Sequence, residues 1–485
     1  MNRKEIAIFI TLMILFIYYQ RPPLHANRYL CLTYSIVNRG VMNIDHCHKR
    51  TGDKSFYEGH YYLAANPGLS FLAAPVYAVV RLITPEFIRS SETISHFIIN
   101  VIVNDILVCL MMVMFYRVLG YFGMKNGRWK ILITLTAGLG TIIFSYSLEY
   151  FAESTVGAFF AFAGFYLLLY PGDKPDYYAP PFFRLFASGL CCGMCLLIGY
   201  SYFFFAVIFA LYLLMRVRSV RIFIFGFGFV LMLIVLLLYQ KACFGGYLTS
   251  YNYYMANEAF VEHFRAGFMG FRSFSLHNLR EYLIGMRHGF FTFMPAMILS
   301  LTGLTIYLRM VQRNNFASVL PILPDRAKRE VIFITVMFLI YLSAFSSYPL
   351  WASGSSFGPR YLVVTIPFFF LLSSFAVESA PAWFVVFFCV ISFLINWFGA
   401  QFTYTLDKNL FSYISLFARN GPSSPFTYYL VNNMGLPESL VRARTVAALN
   451  VFLISLTGIF LWWLWCRYAN LILVQKVQGA RRKAH

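Results

Sequence analysis

Charge is scarce in this chain, and acid is scarcer still. Of 485 residues only 12% are charged, 19 of them acidic against 39 basic, while 60% are hydrophobic. A soluble domain keeps a solvated, charge-bearing surface, and the mean hydropathy of +0.66 excludes that class. No polar stretch much longer than 70 residues interrupts the apolar segments, so no separate soluble domain is expected. The nine cysteines contain no Cys-x-x-Cys pair and no zinc spacing. Internal repeats, low-complexity tracts and coiled-coil heptads are missing as well. So is a Gly-rich nucleotide fingerprint on a strand–helix unit.

What is present is a series of apolar segments of bilayer-spanning length, about 20 residues each. Twelve are expected, at about 5–20, 94–116, 130–147, 154–170, 184–199, 202–215, 220–239, 288–309, 331–348, 361–378, 382–399 and 447–467. The fold class is therefore an all-α polytopic membrane protein, a single integral domain over 1–485. Met1-Asn2-Arg3-Lys4 before an apolar run resembles a signal peptide, but no small-residue cleavage site follows, so the run is read as an uncleaved first helix. The 54 Phe and 34 Tyr fit lipid-facing packing and interfacial belts.

Residues 67–84 are apolar but short, with Pro67 and Pro75. Reading them as an interfacial helix puts four basic loops on one side: Arg117, Lys125, Arg128 and Lys130; Arg216, Arg218 and Arg221; Arg309, Arg313, Arg326, Lys328 and Arg329; and Arg481, Arg482 and Lys483. The positive-inside rule makes that side the cytoplasm, along with both termini. It also accounts for the net charge of +20 without nucleic acid. The outer segments are then 21–93, 148–153, 200–201, 240–287, 349–360 and 400–446. Most of the acids fall there, among them Asp45, Asp53, Glu149, Glu153 and Asp407, so chemistry is expected on the outer face. Cys31, Cys47 and Cys243 lie there too, with no pairing assignable.

The long loop 21–93, in which an amphipathic interfacial helix is expected at 28–39, holds the first candidates. Asp45 and Asp53 flank His46-Cys47-His48-Lys49-Arg50, and either carboxylate suits a general base toward a hydroxyl acceptor; as solvated turn residues they would do nothing of the kind. Asp45-His46-Cys47-His48 has metal-ligand residue types, but neighbours do not readily converge on one ion. Gly59-His60-Tyr61-Tyr62 offers donors and stacking faces ahead of Asn66-Pro67-Gly68, which opens the interfacial helix and could turn free N–H groups toward an anion. Glu149 and Glu153, four apart, would share a helix face and could steer an acceptor or bind a metal; capping is the alternative. Gly354-Ser355-Ser356-Phe357-Gly358-Pro359-Arg360-Tyr361 places Arg360 at the outer mouth of a helix, where its planar fork suits a phosphate. Arg287-His288-Gly289 is a weaker candidate of the same kind. Asp105, inside a span, is either partnered by a polar neighbour or the mark of proton-coupled transport.

This layout resembles the GT-C superfamily of polytopic glycosyltransferases, which includes the protein O-mannosyltransferases and the bacterial lipid A aminoarabinose transferases. The resemblance lies in one helix leading to a large outer loop, an interfacial helix opened by a Pro motif, a second acidic site at Glu149–Glu153, and the stretches at 59–68 and 358–361. It implies transfer of a sugar from a polyprenyl-phosphate donor to a lipid, glycan or protein hydroxyl, usually with inversion, at a bacterial inner membrane. It implies Asp45 or Asp53 as base, and Arg360 with Arg28 or Lys54 at the donor phosphate. His60, Tyr61, Glu149, Glu153, Arg287, His288 and Tyr361 would contact substrate. No cofactor is assigned, and a divalent metal stays open. One departure stands out: Ala26-Asn27-Arg28-Tyr29 carries no acid where the family often has one. The alternative function is a secondary transporter or lipid flippase, which predicts repeated halves and broken midplane helices; a non-catalytic scaffold comes third.

Overall fold

The computed structural model describes residues 1–21, 27–83, 92–150, 153–169, 180–217, 220–265, 270–312, 326–349, 356–401 and 409–420. The expected span at 447–467, Asp407 and most of the segment 400–446 lie outside these residues. Helices dominate. Among the described residues, five are long and apolar enough to cross a bilayer: Thr93–Tyr121, Ile222–Phe244, Ala327–Ser346, Arg360–Val377 and Ala382–Ala400. Shorter apolar helices accompany them, including Thr155–Leu168, Phe182–Ile198 and Met297–Gln312, and the first helix runs over Arg3–Tyr19. A count of twelve spans does not follow from these lengths. The expected span 130–147, for instance, breaks into Gly127–Leu139 and Ile143–Ser147 around Gly140.

Lipid supplies no hydrophobic drive between apolar helices, so close packing must hold them together. Two devices are evident. Glycines let backbones approach: a Cβ on Gly189 or Gly228 would collide with the Phe225 or Phe186 carbonyl, locking Phe182–Ile198 against Ile222–Phe244. Aromatic rings fill the centre, with Phe165, Phe333, Phe368 and Tyr212 in mutual contact at centroid separations of 4.8–5.9 Å.

The helix Arg28–Arg39 is amphipathic, buries Tyr29, Leu30 and Leu32, and stops at Gly40 in the left-handed region. The second expected interfacial helix covers Gly68–Ile83 with Pro75 inside it. Its Pro-Gly start is not turned outward. Asn66 Nδ2 donates to the Leu196 carbonyl at 2.6 Å, and Gly68 packs so closely that a Cβ would lie 2.6 Å from the Leu197 oxygen. The Asn66-Pro67-Gly68 motif therefore docks this helix onto the end of Phe182–Ile198.

The all-α expectation needs one correction. Strand β1, Lys54–Tyr57, pairs antiparallel with β2, His60–Leu63, in the register Lys54↔Leu63 through Tyr57↔His60. Glu58 and Gly59 both take positive φ, 47° and 84°, as a two-residue hairpin turn of the primed type requires. Cys31 is bonded to Cys47, tying the amphipathic helix to the segment that carries Asp45; Cys243 is free and buried.

Candidate functional site

The first apolar helix ends at Tyr19, and the next two residues turn inward instead of out to water. Gln20 and Arg21 are buried, at 0% and 1% exposure. The Arg21 backbone N–H donates to the Leu148 carbonyl at 2.8 Å, and its guanidinium donates to the Gly399 carbonyl at 2.7 Å. These bonds set its charge beside Glu149, Nη1 to Oε2 being 4.0 Å. Arg360 is the second cation acting on Glu149.

Glu149 is half-buried, and a quarter of its side-chain surface stays accessible. Burial pushes its pKa up, and Arg21 and Arg360 only partly offset that. A carboxylate with raised proton affinity thus has one guanidinium 4.0 Å away and a second, from a distant part of the chain, within electrostatic reach. Such a cluster can hold a phosphate on the cations and accept a proton at the carboxylate.

The Arg360 segment has its own supports. Gly358 has φ 72°, and a Cβ there would press on Ile142 and Phe293, so this turn needs glycine. The buried His288 ring is held through Nδ1 to the Gly358 oxygen, 3.2 Å, while Arg287 is exposed. Tyr361 stacks on Phe345 at 4.6 Å, and the Arg360 guanidinium lies 5.5 Å from the Tyr361 ring. His288 and Tyr361 thus pack around the turn that carries Arg360. Glu153 begins the helix Glu153–Leu168, but its side chain lies outside the described residues, as do Gly354 and Ser355.

The other predicted residues form a second, more exposed cluster. Asp45 accepts from the Tyr61 backbone N–H and from His60 Nδ1, both at 2.7 Å. Partial burial works against ionisation, but these two bonds and the nearby His48 hold its carboxyl below the usual range. Asp53 takes the Arg28 guanidinium at 2.7 Å. Lys54 donates to the His48 carbonyl at 2.8 Å, and His48 stacks on Tyr61 at 4.1 Å. The clusters are neighbours through the chain: Asn27 Nδ2 donates to the Tyr150 carbonyl, setting the start of the Arg28 helix against the Glu149 segment. No group of three or more His, Cys, Asp or Glu side chains able to hold a metal ion occurs among the described residues.

Sequence reasoning overlooked Arg21. A basic residue just past an apolar helix reads as snorkelling to the interface, and only the folded chain turns it inward.

By sequence the chain matches no protein family model and no curated protein. Similarity appears in structure. The crystal structure of ArnT from Cupriavidus metallidurans in the apo state is similar over 94% of this chain and 75% of that one, with a TM-score of 0.48 and 14% identity. So distant a likeness assigns no residue roles, and the function is argued from the site.

Proposed function

We propose that this membrane protein is a glycosyltransferase working on the outer face, moving a sugar from a polyprenyl-phosphate donor to a hydroxyl of a lipid, glycan or protein. The observation that carries the reading is the Arg21 guanidinium 4.0 Å from a partly accessible Glu149, with Arg360 acting on the same carboxylate. The two guanidiniums bind the donor phosphate and stabilise it as negative charge develops on the leaving oxygen. The bond from the sugar C1 to the phosphate oxygen breaks, and a bond from C1 to the acceptor oxygen forms on the opposite face. The acceptor proton passes to a carboxylate.

Asp45, Asp53 and Glu149 compete for that role. Asp45 already accepts two hydrogen bonds and Asp53 is paired with Arg28, whereas Glu149 keeps accessible surface and a raised proton affinity, which favours it. Arg28, Lys54, His60 and Tyr61 then flank the acceptor side, and Arg287, His288 and Tyr361 the donor side. A divalent metal has no role in this scheme.

The test is transfer from radiolabelled polyprenyl-phosphate sugars in proteoliposomes. Glu149→Gln and Arg360→Ala are each expected to lower the rate at least about 100-fold, with Asp45→Asn and Asp53→Asn affecting it less. Loss with Asp45→Asn and retention with Glu149→Gln would move the base to Asp45. Substrate flux across the vesicle with no transfer would replace the reading by a transporter.

A further inference from the structure

Behind the Arg21–Glu149 pair lies a buried polar relay that the proposed chemistry does not use. Gln20 Nε2 donates to Asp105 Oδ2 at 2.5 Å, and Gln20 Oε1 accepts from Asn100 Nδ2 at 2.8 Å. The Asn100 amide also reaches the Ser147 carbonyl at 3.0 Å. Asn104 Nδ2 lies 3.0 Å from that same carbonyl, 3.2 Å from the Tyr146 oxygen and 3.1 Å from Asn100 Oδ1. Asn104 Oδ1 in turn accepts from Thr155 at 2.8 Å. Apart from Tyr146 at 7%, every residue of the relay is 0–1% exposed.

Two local features make the relay possible. Residues Val101–Asp105 wind as a π-turn inside the long helix. In regular α winding Asp105 would be rotated about 140° from Asn100; the wider turn brings both to one line, and such turns are often found at functional positions. The Ser147 carbonyl, at the end of a short helix, has two lone pairs and meets two amides.

The relay's position matters more than its size. Gln20 immediately precedes Arg21, and Ser147 lies two residues before Glu149. The relay thus joins the two chain segments that present the guanidinium and the carboxylate, alongside the Arg21 N–H bond to Leu148. The charges themselves are 4.0 Å apart and make no direct hydrogen bond, so their spacing is held by the Arg21 bonds to Leu148 and Gly399 together with what lies behind the two segments.

We propose that Asp105 is a positioning residue. Through Gln20 it anchors the relay of Asn100, Asn104 and Ser147 that sets the spacing of Arg21 and Glu149. This also assigns the intramembrane carboxylate a task other than ion transport. Its catalytic meaning rests on the glycosyltransferase reading, but the geometric claim can be tested without it.

The experiment compares full-length wild type, Asp105→Leu and Asp105→Asn in lipid nanodiscs. Backbone hydrogen exchange is followed over 18–22, 146–150 and, as reference, 327–346. Asp105→Leu removes the acceptor and should speed exchange at the Arg21 N–H by about tenfold or more, leaving the reference helix unchanged. Asp105→Asn keeps an acceptor oxygen and should restore protection to within about threefold. Should Asp105→Leu fail to fold, Gln20→Met breaks the same link from the other side and should show the same local acceleration. Unchanged exchange at Arg21, or equal acceleration across the reference helix, overturns the proposal. In the transfer assay Asp105→Leu should lower kcat about 10- to 100-fold with the donor KM nearly unchanged; an effect on KM alone would count against positioning. If wild type transfers nothing, the glycosyltransferase reading fails, while the exchange result still decides the relay.

Discussion

The two ends of the helix bundle treat buried charge in opposite ways. At the end carrying the basic loops, Arg117 grips both oxygens of Glu5 at 2.9 Å, and Glu5 also closes a capping box with Asn2. Nearby, Glu330 is fully buried, accepting from Arg216 and from the Tyr212 hydroxyl, the latter at 2.8 Å. These acids are in direct hydrogen-bonded contact and cross-link separate helices. At the opposite end, Arg21 and Glu149 stand 4.0 Å apart with accessible surface left on the carboxylate. A contact pair spends its hydrogen-bonding capacity on the fold; a separated pair keeps some for a ligand. On this view the first end holds the bundle together and the second end works.

The largest effect should come from breaking a contact pair. Glu330→Ala leaves the Arg216 guanidinium without its carboxylate, and removing one partner of a buried pair costs about 3–5 kcal/mol. Thermal unfolding in detergent should show a clear loss of stability. Glu149→Gln should cost about 1 kcal/mol or less by the same measurement, because no direct hydrogen bond to Arg21 is lost and the side chain keeps accessible surface. Its damage should fall on transfer instead. Equal destabilisation by both variants would erase the distinction between the two ends.

The smallest effect concerns Asp45, whose carboxyl is held below its ordinary value of 3.8. A depressed acid contributes stability that is fully present above its unfolded value and is lost as pH falls through the folded one. Protection of the Tyr61 N–H, its exchange rate relative to the intrinsic rate at each pH, should therefore be flat from neutrality down to about pH 4 and fall only below it. Loss of protection between pH 5 and 7 would shift the responsible group from Asp45 to another residue.

Much of the framework was legible in the sequence, because lipid imposes simple rules. Helix positions follow from apolar length, and the amphipathic helix at 28–39 and the interrupted one near 67–84 appear where expected. The hairpin was missed because its strands have four residues each, too short for alternation to register against aromatic-rich surroundings. Its turn signal, Glu58-Gly59, is weaker than Asn-Gly or Asp-Gly. Glu149 and Arg360 were recognisable singly, as ionisable residues at helix mouths. Their meeting with Arg21 was not, since three positions so far apart are joined only by tertiary packing. Likewise, the sequence left Asp105 between a polar partner and proton-coupled transport, and the bond from Gln20 supplies a partner that the sequence could not name.

The Cys31–Cys47 bond has a consequence for the order in which this protein is made. A disulfide needs an oxidising compartment, so on the proposed topology it forms after the first loop has crossed the membrane. It spans only 16 positions of sequence, and closing so short a loop contributes about 3 kcal/mol without help from distant segments. The cross-linked helix and the Asp45 segment can then be in place while later spans are still entering the bilayer. Biogenesis would run from the outer face inward, with the loop serving as a finished surface onto which the bundle assembles. A host that inserts the chain but cannot oxidise it would have to build that surface last.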